Sequence, residues 1–454
     1  MNGLPEGWEQ AKISDIAEVN PSSNGTLSAE ALVSFVPMAS VEAESGRVDV
    51  SQTRRSEDLR KKGYRRFSEG DVLFAKITPC MENGKAAVAQ RLVGGAGFGS
   101  TEFHVLRPHL GISADYLLHY LLQKGFRREA ARHMKGTAGQ LRVPAAYLAD
   151  CPVPVPPAKE QTRIVAAIEE QFSRLDAGVA ALRTARGGLA RFLRALIDRE
   201  VAPNDRRGEW SVVTPRELSA DERHSLAIGP FGSDLKVGDY EDRGVPLVFV
   251  RNIRSRTFDG SGLKYVSQAK AESLRNHMVV AGDVLVTKMG DPPGDTAVYP
   301  SGLPSGVITA DCIKLTLRPG YDPAFIALAL RTDRVRAQIS RITSGVAQQK
   351  VSLARFRDGI RLEAPSYPEQ LAIVQRIETA QDNIREVVRS LDEAERRGST
   401  LRAAILTAAF CGKLVLQDPD NEPATALLER IGAETAQAVV RTPRSKRHRV
   451  WVTS

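Results

Sequence analysis

The chain has no apolar run approaching the roughly 18 residues that a membrane-crossing helix needs. Its opening Met1-Asn2-Gly3-Leu4-Pro5-Glu6 lacks both the basic start and the apolar stretch of a signal peptide. A cytoplasmic protein with no membrane partner is expected. Cysteine is scarce: Cys80, Cys151, Cys312 and Cys411 stand apart with no C-x-x-C pair, so neither a disulfide framework nor a zinc site is indicated. They read as small core residues. The seven histidines show no H-E-x-x-H or other metal-ligand spacing.

What the chain has instead is repetition. Gly70-Asp71-Val72-Leu73-Phe74-Ala75-Lys76 returns as Gly282-Asp283-Val284-Leu285-Val286-Thr287-Lys288, and Glu160-Gln161-x-x-Ile164-Val165-x-x-Ile168-Glu169 returns as Glu369-Gln370-x-x-Ile373-Val374-x-x-Ile377-Glu378. Weaker echoes keep the phase: Leu106-Arg107-Pro108 against Leu317-Arg318-Pro319, and Gln140-Leu141-Arg142-Val143 against Gln348-Gln349-Lys350-Val351. A period of about 210 residues far exceeds the roughly 20 to 50 of a solenoid unit, so each copy is expected to be a domain plus its connector. At 454 residues and 42% hydrophobic, the chain can bury two or more separate cores. Its 63 Lys and Arg outnumber 54 Asp and Glu, a net +9 that favours an anionic partner.

Each copy divides into a globular and a helical part. Residues 1–157 mix β-type runs such as Ser34-Phe35-Val36-Pro37 and Val72-Leu73-Phe74 with a Gly-rich turn at Gly94-Gly95-Ala96-Gly97 and a helical stretch near Ala114 to Arg132. Cys151-Pro152-Val153-Pro154-Val155-Pro156-Pro157 is expected to stop regular structure, because proline lacks an amide donor and biases its predecessor away from helix. The second globular part, 204–366, ends likewise at Ala364-Pro365-Ser366-Tyr367-Pro368.

Long helical patterns follow at 158–203 and 367–415. In the second, Ile373, Ile377, Ala380, Ile384, Val387, Leu391, Ala394, Gly398, Leu401, Ile405 and Ala408 step by alternating four and three, the spacing of a coiled-coil seam. The first gives Ile164, Ile168, Phe172, Leu175, Val179, Leu182, Leu189, Leu193 and Leu196, with a polar skip at Arg186 and a weak spot at Gly187-Gly188. Helices of about 40 residues cannot bury such seams alone, so the two are expected to pair antiparallel, the alternative being pairing with a second chain. The fold class is therefore α+β: two mixed globular domains separated by two long antiparallel helices, with a C-terminal extension, 416–454, expected to be partly disordered. Its tail ends in Arg441, Arg444, Lys446, Arg447 and Arg449, which suit nonspecific phosphate affinity.

Basic residues cluster where a nucleic acid would bind. Arg54, Arg55, Arg60, Lys61, Lys62, Arg65 and Arg66 crowd one stretch with Tyr64 and Phe67 interleaved, and the second half offers Arg251, Asn252, Arg254, Arg256 and Lys264. A solvated surface is the simpler reading of any one of them. Lys76 and Lys288 each end the repeated Gly-Asp-Val-Leu strand, so the duplication itself sets a cation at equivalent positions; a turn with a strand-end lysine is the plain alternative. Gly136-Thr137-Ala138-Gly139-Gln140-Leu141-Arg142 and Ser344-Gly345-Val346-Ala347-Gln348-Gln349-Lys350 are Gly-hinged, amide-rich loops suited to close backbone approach or to hydrogen-bonding adenine. The expected DNA-contacting set is Arg54, Arg55, Lys61, Lys62, Arg65, Lys76, Thr137, Gln140, Arg142, Arg251, Asn252, Arg254, Lys288, Ser344, Gln348, Gln349 and Lys350.

The order of globular domain, proline-rich stop, Glu160-Gln161-x-x-Ile164 helix, second globular domain and Glu369-Gln370-x-x-Ile373 helix resembles the specificity subunit of type I restriction-modification systems. So do Leu4-Pro5-Glu6-Gly7-Trp8 and the segment Phe410-Cys411-Gly412-Lys413-Leu414-Val415 with Leu427-Leu428-Glu429-Arg430-Ile431. The resemblance implies two target recognition domains, each reading half of a split site in double-stranded DNA, and spacer helices that dock methyltransferase subunits. It also implies a restriction-translocase subunit, with S-adenosylmethionine, ATP and Mg belonging to the partners and no cofactor or metal in this chain.

Catalytic motifs are missing. Gly95-Ala96-Gly97-Phe98-Gly99 does not match G-x-G-x-x-G with its acidic partner, no G-x-x-x-x-G-K-[ST] occurs, and nothing resembles G-x-S-x-G. Asp291-Pro292-Pro293-Gly294 is similar to the Asp-Pro-Pro-aromatic motif of amino-methyltransferases, but glycine stands where an aromatic would stack on a flipped base, so it reads as a turn. A noncatalytic recognition subunit is expected, with a fused methyltransferase-specificity enzyme and a coiled-coil scaffold without DNA affinity as the other readings.

Overall fold

The computed structural model describes residues 3–22, 27–137, 139–202, 210–254, 257–290, 292–345 and 349–441. They form two units, Met1–Ala181 with Glu393–Ser454, and Leu182–Asp392. Each unit holds one globular region and a share of both long helices.

In the first unit the chain runs β1 (Glu9–Lys12), α1 (Ile13–Ile16), β2 (Ala17–Val19), β3 (Leu32–Val36), β4 (Thr53–Arg55), α2 (Ser56–Lys61), β5 (Arg65–Ser68), β6 (Val72–Ala75), β7 (Ala86–Val88), β8 (Ala96–Gly99), β9 (Phe103–Pro108), α3 (Ala114–Leu122), α4 (Lys124–Arg132), α5 (Ala145–Asp150) and β10 (Pro152–Val155), then enters α6 (Ala158–Glu200). The strands make three sheets, ordered β1-β10, β2-β9-β6-β7 and β4-β3-β8-β5. The second unit runs β11 (Ser211–Val213), α7 (Pro215–Leu218), β12 (Leu226–Ile228), β13 (Val245–Val248), β14 (Lys264–Val266), α8 (Gln268–Ser273), β15 (Met278–Val279), β16 (Val284–Thr287), β17 (Thr296–Val298), β18 (Gly306–Ile308), β19 (Cys312–Leu315), α9 (Pro323–Arg331), α10 (Asp333–Ile342), α11 (Leu353–Gly359) and β20 (Leu362–Ala364), then α12 (Tyr367–Phe410). Its sheets are ordered β11-β20, β12-β19-β16-β17 and β14-β13-β18-β15, so adding ten to each strand number of the first unit gives the second. The parallel pair β3 and β8 recurs as β13 and β18. The sequence repeat is a repeat of topology.

The repeated Gly-Asp-Val-Leu motif explains itself at the centre of each unit. Strand side chains alternate between faces, and β6 sends Val72 and Phe74 into one core and Leu73 and Ala75 into another. β16 does the same with Val284 and Val286 on one side and Leu285 on the other. Gly70 and Gly282 adopt φ of 82° and 89° in the preceding turn, a conformation that glycine enters without a Cβ penalty. The buried Asp71 then accepts from Ser68 N at 2.8 Å and from both arms of Arg107 at 2.8 and 2.7 Å. Asp283 accepts from Val280 N at 2.9 Å and Thr316 Oγ1 at 2.6 Å.

The Glu-Gln motif is a latch. Gln161, 1% exposed, accepts from Ser113 N, the residue capping α3, at 2.9 Å and donates to Pro156 O at 3.1 Å. Gln370, fully buried, accepts from Asp322 N, which caps α9, at 2.9 Å and donates to Pro365 O and Gly320 O at 2.9 and 3.2 Å. Each latch fixes the first turn of a long helix to its own globular region. Trp8 Nε1 donates to buried Glu160 at 3.1 Å, whereas the buried Trp210 Nε1 has no hydrogen-bond partner among the described residues.

The long helices pair antiparallel within each unit. In the first, Asp176 of α6 meets Arg402 of α12, whose guanidinium lies 4.1 Å from the Phe172 ring centroid. In the second, Arg186 pairs with Asp392 at 2.8 Å and Glu200 with Arg376 at 2.9 Å. Ile164, Ile168, Phe172, Ile373 and Ile377 are buried as the seam predicts. Further along α12 the seam holds at the buried Ile405 and the half-buried Ile384, Leu391, Ala394 and Gly398, but departs at Val387 and Leu401, which are 45% and 51% exposed, while Leu406 and Ala409 are buried. A seven-residue seam drifts by about 20° per heptad against a 3.6-residue helix, so the buried line slips by about one residue over this length.

Further expectations change. Cys151 to Pro157 does not stop regular structure, because Pro152–Val155 is β10, paired with β1 in a two-stranded sheet where every strand is an edge and a missing amide is tolerated. The glycine turn at 94–97 gives way at Ala96 to β8, where a Cβ on Gly97 would meet the Phe67 ring at 2.2 Å. The C-terminal extension holds an 18-residue helix, α13 (Ala424–Arg441), whose Ala424, Leu427 and Ile431 join the first unit's core. Its basic tail from 442 on lies outside the described residues. Cys151 and Cys312 are buried, but Cys411 is exposed and not a core residue. No helix among the described residues is long and apolar enough to cross a membrane.

Candidate nucleic-acid interface

At the end of β6, Lys76 donates its amide to Glu102 O at 2.9 Å and accepts from Val143 N at 2.8 Å. At the end of β16, Lys288 donates to Asp311 O at 2.7 Å and accepts from Val351 N at 3.0 Å. Each lysine is thereby stitched to the end of a glycine-hinged loop. In the first loop Lys135 and Arg142 exchange two backbone hydrogen bonds of 2.9 Å, and in the second Ser344 and Lys350 exchange two of 3.0 Å. Gly136, at φ 133°, has no room for a Cβ, which would lie 2.7 Å from Gln140 O. Thr137 and Gln140 are exposed, as are Ser344 and Lys350, and Gln349 is half-buried. Gln348 lies outside the described residues. The structure thus unites each repeated lysine with the repeated loop, although about 60 residues separate them in sequence, because strand pairing brings β6 beside β9 and the loop folds back over their ends.

In the first unit the stitched segment carries a charged cluster. Arg142 grips Glu102 through two hydrogen bonds of 2.9 Å. These bonds hold the Glu102 carboxyl below its usual range against the opposing effect of burial. Burial pushes the Lys76 ammonium below its usual value; Glu102 works the other way, and Arg65 and Arg142 add to the lowering. His104 lies beneath, held down to about 4 chiefly by burial and then by Lys76 and Arg65. Neutral at ordinary pH, its Nε2 is assigned as donor to Val143 O at 2.8 Å, leaving Nδ1 to accept from Asn20 at 3.0 Å. In the second unit Lys288 Nζ donates to Ala310 O at 3.2 Å.

The remaining expected contacts are less united. The stretch from Arg54 to Arg66 is split across one sheet: Arg54 and Arg55 lie on edge strand β4, Arg65 and Arg66 on the opposite edge strand β5. Arg54 stacks 4.2 Å from the Phe35 ring centroid, Arg55 pairs with Glu30 at 3.1 Å and Lys61 with Glu57 at 2.7 Å. Such exposed pairs contribute little. Lys62 is exposed. Arg65 of this group lies close enough to Lys76 to lower its pKa. Arg251 stacks 4.1 Å from the Phe249 centroid and donates to Gly262 O at 3.1 Å, and Arg254 is exposed. Asn252 is not a surface contact: 1% exposed, it donates to Asp259 O at 2.7 Å and accepts from Phe249 N at 2.9 Å, closing a turn.

Sequence reasoning missed Glu102 and two arginines on corresponding helices. Arg127 of α4 reaches Glu82 O and Glu44, each at 2.5 Å, and Arg336 of α10 reaches Asp295 at 3.2 Å. Both clamp the loop that begins at the repeated lysine. The arginine's repeated place, in Lys124-Gly125-Phe126-Arg127 and Asp333-Arg334-Val335-Arg336, is visible only once the helices are aligned. Asp291 lies outside the described residues, and Gly294 N turns back to Thr287 O at 2.9 Å. Among the described residues no group of His, Cys, Asp and Glu is placed to hold a metal ion.

Residues 5–178 match the family model for the type I restriction modification DNA specificity domain. The chain is 38% identical over 174 residues to the type I restriction enzyme EcoAI specificity subunit of Escherichia coli, an alignment covering 38% of this chain and 29% of that relative. It therefore spans under a third of that relative's length. The EcoKI specificity subunit of Escherichia coli strain K12 aligns over 95% of this chain and 96% of its own length at 22% identity. A solved structure, described as the structural basis of complex assembly and conformational transition of the type I R-M system, shares the fold with a TM-score of 0.68 at 19% identity, covering 91% of this chain and all of that one.

Proposed function

We propose that this chain, whose residues 5–178 match the family model for the type I restriction modification DNA specificity domain, is the DNA-reading subunit of a restriction-modification complex. Each unit reads one half of a bipartite duplex site. The observation that carries this reading is the doubled joining of a strand-end lysine to a glycine-hinged, amide-bearing loop, Lys76 with 136–142 and Lys288 with 344–350. A lysine there neutralises phosphate and fixes register. Glutamine and arginine side chains on the loop carry the donors and acceptors that distinguish adenine and guanine in the major groove. Arg142, whose planar guanidinium Glu102 holds in one orientation through two hydrogen bonds, is preorganised for such a contact.

The chemistry belongs to partners. Methyltransferase subunits carrying S-adenosylmethionine dock on the long helices, and an ATP- and Mg-using translocase subunit completes the complex in the cytoplasm. Support for docking comes from apolar side chains that the helix pairs leave in water: Phe192 at 57%, Val387 at 45%, and Leu401 at 51% beside Arg397 and Thr400. The purified chain alone neither methylates nor cleaves DNA, and its cells carry methylation at a split motif when the partner subunits are present. Methylation mapping with and without this chain tests the reading; an unsplit motif, or methylation independent of the chain, contradicts it.

A further inference from the structure

We propose that Phe231 is a wedge that enters the DNA duplex at a base step beside the half-site of the second unit, an inference that rests on the DNA-reading function above. Phe231 is 69% exposed, more than Phe192 or Tyr367. It sits in the segment 229–244 that joins β12 to β13, of which residues 229–240 are anchored at both ends. At its start, Gly229 N donates to Cys312 O at 3.3 Å, and a Cβ on Gly229 would lie 2.2 Å from the Thr309 carbonyl, so only glycine lets the two backbones touch. The next residue along, Ala310, is the one whose carbonyl holds Lys288 Nζ. At its far end, Leu235 and Tyr240 pack into the cluster of Leu247, Val266 and Val307, with Tyr240 edge-on to Phe249 at 5.8 Å. Between the anchors Asp234 N closes a turn onto Phe231 O at 2.8 Å. Phe231 and the 78% exposed Val237 are thereby held away from the core.

The place and the chemistry select the occupant. Phe231 emerges at the strand ends that carry Lys288 and the loop 344–350, so a duplex lying on those cations faces the ring. The carboxylates within residues 229–240 are engaged locally: Asp239 caps Lys236 N at 2.7 Å and pairs with Lys270 at 3.2 Å, and Asp234 accepts from Ser233 Oγ at 3.3 Å. Two apolar side chains fall far short of the roughly 800 Å² per partner of a protein interface, whereas a single apolar wedge suffices to unstack adjacent base pairs and kink a duplex. With no hydrogen-bonding group, Phe231 reads deformability and favours an easily unstacked pyrimidine–purine step.

The test uses the full chain. Duplexes are selected from a random-sequence pool, and one of them, carrying 2-aminopurine at successive positions of a half-site, is titrated with wild type, Phe231→Ala and Phe231→Leu. Phe231 is exposed, so both variants keep the fold. Wild type and Phe231→Leu should raise the emission at one step; Phe231→Ala should lose that rise and bind about tenfold more weakly. Wild-type affinity in Phe231→Ala, or an emission rise that survives it, overturns the wedge. Failure of the wild type to select any duplex removes the DNA-reading function instead, and the wedge with it.

Discussion

In the first unit the stitched strand end gathers Arg65, Lys76, Glu102 and Arg142 over a buried neutral histidine; in the second, Lys288 leans on the Ala310 carbonyl, with Asp311 and Lys350 at the backbone places of Glu102 and Arg142. Of the positions that the two units share as identical residues, Gly70 and Gly282, Asp71 and Asp283, and Gln161 and Gln370 are turn formers and buried latches, and Lys76 and Lys288 end the repeated strand. The groups set around the shared Lys76 and Lys288 differ: Glu102 and Arg142 in one unit, Asp311 and Lys350 in the other. If each unit reads its own half-site, as proposed above, the scaffold and the strand-end lysine are what the two units share, and the side chains around that lysine are where they differ.

The comparison can be broken in several ways, the first by exchanging what is displayed. Alanine at both Gln140 and Arg142 should abolish preference in one half of the target, a loss of about 10- to 100-fold against competing sequences, the size of one bidentate base contact at about 1–3 kcal/mol. The other half should be read as before. Selection from a random pool measures both halves at once, and joint loss in a folded variant ends the idea of separate reading.

The latches come next. Replacing Gln370 by leucine strands Asp322 N and two carbonyls, and replacing Gln161 strands Ser113 N and one carbonyl. At about 1–3 kcal/mol for each buried unsatisfied group, both variants should unfold earlier, Gln370→Leu more so. Urea titration with a probe in each unit would show whether the loss stays in the unit that carries it.

Acid should separate the units too. His104 and His119, both in the first unit and both buried, have folded-state values of about 4 against an ordinary 6.5. Burial is the main cause in each, with nearby cations, Lys76 and Arg65 for His104 and Arg402 for His119, adding to it. Below 6.5 the unfolded chain takes up the protons first, so stability is complete above that pH and is lost as pH falls through about 4. The loss should reach about 2 kcal/mol per histidine near pH 5. Hydrogen exchange at pH 7 and pH 5 should show β6 and β9 losing protection while β16 and β19 do not; equal loss would place the sensitivity elsewhere. The smallest effect belongs to the shared lysines: Lys76→Gln or Lys288→Gln should each lower the slope of log affinity against log salt by about one, and a slope left unchanged by both would take these cations off the phosphates.

Much of this organisation was legible in the sequence, for physical reasons that differ from one element to the next. Val72 to Ala75 and Val284 to Thr287 read as strands because a short apolar run buried on both faces has few alternatives. The pairing of the long helices followed from their seams. The slip at Val387 and Leu401 did not, since a heptad count ignores the drift of a real helix. Gln161 and Gln370 were visible as a repeat but not as latches, because their partners Ser113 and Asp322 lie roughly 50 residues upstream. The cluster from Arg54 to Arg66 looked continuous because sequence distance hides the sheet order that sends its two ends to opposite edges. Asn252 was misread for want of the turn that encloses it, and Arg251 sits in the turn after β13 rather than at the edge-strand places of Arg54 and Arg55.

The division of the chain has a consequence for its manufacture. The second unit is one continuous stretch, Leu182–Asp392, whereas the first needs Ile405, Leu406, Ala409, Phe410, Ala424, Leu427 and Ile431 in its core. On the ribosome, residues emerge in order, and a domain cannot close around side chains not yet made. The domain synthesised first is therefore completed last, after its sibling has folded, and its exposed α1 and α3 surfaces wait through most of translation for the helix end that covers them.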